Sequence, residues 1–159
     1  MLTNADIAPV QAQIIQKFPQ YASYIHGDTF QVNGTIAASA GANAAQSATI
    51  VVDGTSNASQ PVPQSQVWLF TDLYNRTTSD TPTDALAQII KNGIKELAKT
   101  APLSVNLVTN QTRPGLQAPF YYEPNAKLTI NTLPIAANGT SAVTDTFFLA
   151  VVIFDSSYS

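Results

Sequence analysis

The chain has no cysteine, one histidine and few charges, and each shortage removes a class of function. Without cysteine there are no disulfides and no thiolate metal sites, and the redox compartment leaves no mark. Asp, Glu, Lys and Arg make up 11% of the 159 residues, against roughly 25% in ordinary soluble domains. The seven Lys and Arg are scattered through a chain of formal net charge −3. Phosphate neutralisation needs clustered cations, so nucleic acid is not an expected partner. Long apolar runs are missing too. The longest, Phe147 to Phe154, is eight residues, whereas a bilayer helix needs about 20. The opening Met1-Leu2-Thr3-Asn4-Ala5-Asp6 lacks the basic segment of a secretion signal. These absences predict a protein soluble as made, with neither signal peptide nor transmembrane segment; contact with a membrane surface stays open.

The missing charge is replaced by Asn, Gln, Ser and Thr, since the hydrophobic share is an ordinary 45%. Aromatic and β-branched residues are plentiful, which argues against disorder. A polar surface with few ions costs less to desolvate against a neighbour, so the composition suits a protein that works in an assembly. A secreted or thermally adapted monomer is the competing explanation. At this length one domain over residues 1–159 is expected, burying roughly 68–70% of its unfolded surface.

Along the chain, Ile7, Val10, Ile14, Ile15 and Phe18 recur at helical spacing. They predict a helix over residues 5–18 within an N-terminal arm (1–25), with Thr3 or Asn4 as N-cap and Pro19 as stop. From residue 28 the period becomes two. Phe30, Val32 and Ile36 share one face and Gln31, Asn33 and Thr35 the other, the mark of a half-buried strand. Ala37 to Ser47 reads as a loop or flat edge hairpin, Thr49 to Val52 as a strand, and Asp53-Gly54 as a turn. Val67 to Phe70 is apolar on both faces, so it needs the core on one side and a helix or neighbour on the other. Thr81, Pro82 and Asp84 resemble a helix start, and Leu86, Ile89, Ile90, Ile94 and Leu97 form an apolar stripe; these predict an inserted helix over 81–100. Leu103 to Leu107 and Leu128 to Ile130 alternate again, and residues 143–154 should form a central strand. With few helices between strands, a parallel α/β sheet is excluded and a mainly β, antiparallel sandwich or barrel remains.

Chemistry is hard to place. His26-Gly27-Asp28 supplies a base and an orienting acid on paper, but a triad also needs a converging nucleophile, and the stretch reads as a helix-to-strand turn with a surface or capping histidine. Asp53, Asp72, Asp80 and Asp84 lack calcium-loop spacing. Asp72 and Glu123 are a paired-acid candidate only if the fold brings them together. Neither GxGxxG nor GxxxxGK[ST] occurs. No catalytic, metal or cofactor site is expected. Trp68 and Phe70 read as core. Phe120, Tyr121 and Tyr122, in a Pro-bounded stretch that also carries Arg113, are contact candidates for a partner subunit or ligand, since tyrosine brings area and a hydroxyl at low entropy cost. Ile7, Val10 and Ile14 of the arm are the others.

With a helical arm, short alternating strands, amide- and hydroxyl-rich loops and the hydrophobic closing strand Phe147 to Phe154, the chain resembles the single jelly-roll coat proteins of tailless icosahedral bacterial and archaeal viruses, membrane-containing ones included. The resemblance spans most of the chain and is one of architecture, so no residue role carries over. It implies two four-stranded sheets packed face to face as a jelly roll, in a homo-oligomeric subunit of a virion capsid. The partners it implies are copies of the chain and other virion proteins. Six or seven strands are legible against eight, so residues 37–47 would have to hide one. Two other readings stay open. One is a β-sandwich binding module, such as a spike, penton or adhesin domain, with Tyr121, Tyr122 and Trp68 against glycan or protein. The other is a small hydrolase or lyase relying on His26.

Overall fold

Alternation of buried and exposed side chains governs most of the computed structural model, which describes residues 3–78, 85–91, 94–102, 116 and 118–157. One helix, α1 (Asn4–Lys17), precedes eleven strands: β1 (Tyr24–Ile36), β2 (Gln46–Ser47), β3 (Thr49–Val52), β4 (Thr55–Asn57), β5 (Ser59–Pro61), β6 (Gln66–Thr78), β7 (Ala85–Lys91), β8 (Ile94–Pro102), β9 (Phe120–Tyr122), β10 (Lys127–Pro134) and β11 (Val143–Asp155). They build a mainly β, antiparallel sandwich. One sheet has the order β4-β3-β1-β11-β6-β9, and the other β2-β10-β7-β8, with β5 also pairing β10. The closing strand is central as expected: it pairs β1 from Tyr24–Asp155 to Ile36–Val143, and β6 on its other side.

The core lies between the sheets. Phe30, Val32 and Ile36 of β1 meet Trp68, Phe70 and Leu73 of β6, Phe147, Leu149 and Val151 of β11, and Leu128 and Ile130 of β10. Phe30 and Trp68 are in edge-to-face contact at 4.8 Å between centroids, the geometry that the ring quadrupoles favour. Thr132 of β10 crosses β1 at Gly34, where an added Cβ would sit 2.5 Å from the Thr132 Cγ2. Close approach of the two sheets therefore requires glycine there.

Two turns follow their residues. Asp53 and Gly54 have φ of 49° and 78° and join Val52 to its partner Thr55, a two-residue hairpin of the kind Asp-Gly favours. Residues 37–45 form a loop ending at β2. Its backbone is held by Ser39 N–H donating to Gly139 O (2.7 Å), Asn43 N–H to Pro134 O (2.8 Å) and Asn138 N–H to Ala40 O (2.8 Å).

The inserted helix expected over 81–100 is corrected: residues 85–91 and 94–102 are strands β7 and β8. The apolar stripe is ambiguous, because Ala85, Ala87 and Ile89 also alternate, and these three are buried while Leu86 and Gln88 are half-buried. Hydrogen bonding decides it. Strand β10 pairs β7 from Leu128–Lys91 to Pro134–Ala85, and a helix there would orphan those backbone groups. Lys91 and Ile94 are partners, and the two residues between them read Asn92-Gly93, the strongest short hairpin signal. The proposed cap at 81–84, the alternating segment 103–107 and Arg113 lie outside the described residues.

Candidate assembly surface

The helix predicted over 5–18 forms as α1. Thr3 is its N-cap; its N–H donates to Asp6 Oδ2 at 2.8 Å, and Lys17 occupies the last turn. Apart from Ile15, which is exposed, its apolar side does not reach outward. Ile14 is fully buried, and Ile7, Val10 and Phe18 pack with it on Val67, Leu69, Val152 and Phe154. These four lie on the outer side of the six-stranded sheet, opposite the core. That explains the doubly apolar Val67 to Phe70: Trp68 and Phe70 face the core, Val67 and Leu69 the helix. The arm thus covers its own sheet.

Alternation divides the aromatic trio. As β9, Phe120, Tyr121 and Tyr122 pair Phe70, Leu69 and Trp68. Tyr122 turns inward and is buried, with Phe120 packed beside it against the core. Tyr121 turns outward to the helix side, where the Phe18 ring lies 6.2 Å away and Lys17 Nζ donates to its hydroxyl at 3.4 Å. Of the contact candidates, the structure brings Ile7, Val10, Ile14 and Tyr121 into one cluster and leaves Phe120 and Tyr122 on the other face.

Two polar clusters escaped sequence reasoning because their members are far apart in the chain. Lys91 of β7 forms an ion pair with Glu123, just after β9, and so ties the two sheets together. Lys91 Nζ also lies 5.6 Å from the Tyr122 ring centroid. Burial opposes the Glu123 charge, but hydrogen bonds from Lys91 and its own backbone, with the Lys91 and Lys17 charges, outweigh it and hold the carboxyl below its ordinary value. Burial, aided by the Glu123 charge, pushes the Tyr122 hydroxyl well up, and that hydroxyl finds no partner. At the end of β11, Asp155 accepts from Ser157 N–H (2.8 Å), Ser157 Oγ (2.6 Å) and Gln66 Nε2 (2.9 Å), while Gln66 Oε1 accepts from Trp68 Nε1 (2.8 Å). Burial works against the Asp155 charge, yet these donors and His26 keep its carboxyl low. The only sequence signal for this cluster was Trp68, whose indole N–H must find an acceptor when buried.

His26 lies inside β1 rather than in a turn, opposite Ile153 and 4.7 Å from the Tyr24 ring centroid. Asp28 spends Oδ1 on the Thr29 N–H (2.7 Å). Among the described residues no group of three or more His, Asp or Glu is placed to hold a metal ion, and no helix is long and apolar enough to cross a membrane.

No family model matches the chain. It is similar to the capsid protein VP4 of Sulfolobus polyhedral virus 1, with 28% identity over 105 residues, or 62% of this chain. The match spans 58% of the length of that protein.

Proposed function

We propose that this protein is a structural, non-enzymatic subunit of a virus capsid that assembles with copies of itself and other virion proteins. The observation that carries the reading is the strand order. Strands β1-β11-β6-β9 face β2-β10-β7-β8, and the chain crosses from sheet to sheet repeatedly, among other places from β1 to β2, β5 to β6, β6 to β7, β8 to β9, β9 to β10 and β10 to β11. This winding supports a jelly-roll pattern, used by viral coats, lectins and cupins alike. Fold alone does not choose among these, and the similarity to a capsid protein favours the first. The scarcity of charge supports it as well, because neutral surfaces can be buried in many moderate contacts at low desolvation cost.

The test is electron microscopy and light scattering of the purified chain. Particles or regular oligomers of many copies are expected. A strict monomer at high concentration in every salt tried would overturn the reading. Replacing His26 with Ala should leave the size and yield of the assembled particles at neutral pH unchanged.

A further inference from the structure

The helix α1 covers only part of the outer side of the six-stranded sheet. Beyond it, one row of side chains runs across five strands, because Ser56 pairs Val51, Val51 pairs Gln31, Gln31 pairs Phe148 and Phe148 pairs Tyr74. The Phe148 and Tyr74 rings lie 5.8 Å apart, tilted by 30°. The flanking groups are already set: Asn33 Oδ1 accepts from Gln31 Nε2 (3.0 Å) and Thr146 Oγ1 (3.1 Å), and the Tyr74 hydroxyl pairs with Thr29 Oγ1 (3.2 Å). The row is a half-buried aromatic pair edged by amides and hydroxyls and has no charged member. Antiparallel sheets usually turn charged residues to water on such a face.

We infer that this uncovered face is the surface through which a second copy of the chain docks. The inference deepens the shell reading and rests on it. An aromatic centre with a neutral hydrogen-bonding rim is the common anatomy of a protein interface, and the pre-set side chains lose little freedom on contact. Charge selects the occupant. The row offers no cation to a phosphate; the anion beside it, Asp72, next to Tyr74 on the same face, already accepts from the Leu73 N–H at 2.8 Å, and the amides and hydroxyls of the row would be stranded in lipid. Amides and hydroxyls are each donor and acceptor, so a neutral surface of another copy satisfies them without any ion of the row being buried.

The experiment compares the full chain with Gln31→Glu, with Phe148→Ala and with Gln13→Glu. The last adds the same charge on the exposed side of α1. Sedimentation over a concentration series gives the association constant, and thermal unfolding confirms that each variant folds. The expected result is association weakened roughly 30-fold or more by Gln31→Glu and by Phe148→Ala, since each strands a buried charge or removes the ring pair, with Gln13→Glu unchanged. If folded Gln31→Glu and Phe148→Ala associate as the wild type does, the face is not the docking surface while the shell reading stands. If the wild type never associates, both fall. Binding of a neutral oligosaccharide from a glycan array, lost in Phe148→Ala while association persists, would reassign the face to sugar recognition and overturn the inference.

Discussion

Gly34 shows how one residue sets the spacing of the two layers. Replacing it with Ala drives a methyl into Thr132, and overpacking of this kind costs about 1–3 kcal/mol. Chemical denaturation should show that loss. Adding Thr132→Ser should recover part of it, because the offending methyl goes while the hydroxyl that donates to Thr35 O remains. The carboxyls of Glu123 and Asp155 make a second residue-scale point. Both sit below their ordinary values in the fold, so the stability they contribute is complete above their unfolded-state values, near pH 4, and is lost as pH falls through the lower folded-state values. The urea midpoint should therefore fall on acidification below about pH 4.5. Glu123→Gln should start lower at neutral pH and fall less.

At the scale of elements, α1 is a small satellite of the main core, held chiefly by Ile14. Truncating a buried isoleucine to alanine costs about 2–5 kcal/mol. Ile14→Ala should raise hydrogen exchange across residues 4–17 while β1, β6 and β11 stay protected. The hairpin of β7 and β8 teaches the opposite lesson. A peptide covering residues 81–102 should turn helical in trifluoroethanol, since its local preferences favour a helix that the sheet overrules. This conflict marks where sequence reasoning ran out. Alternation was legible in β1 and β10, the apolar runs of β3 and β11 also read as strands, and the double-sided Val67 to Phe70 pointed to a covering helix or neighbour. The stripe from Leu86 to Leu97 satisfies two periods; the need of β10 for a partner separates them, and Asn92-Gly93 was the one local signal pointing the same way. The contact candidates fared similarly: Tyr121 and Tyr122 are adjacent in the chain but lie on opposite faces once β9 forms. The row from Ser56 to Tyr74 could not be seen at all, because it exists only after five strands fall into register.

For the whole molecule, several of the described charges gather at one end of the sandwich. Lys17, Lys91, Glu123 and Asp155 lie beside the start of β1 and the end of β11. Two described loops at the other end, 37–45 and 135–142, have no ionic residue. Self-association should accordingly depend only weakly on salt, which light scattering from low to high ionic strength would measure; steep salt dependence would point to ionic contacts instead. The position of β11 has a further consequence in time. Strands β1 and β6 are neighbours only through it, and its partners in β1 lie more than a hundred residues earlier. Until β11 emerges from the ribosome, the six-stranded layer has a slot at its middle. A nascent chain thus keeps β1 and β6 apart until β11 is made, and the row that runs through Phe148 cannot form before then.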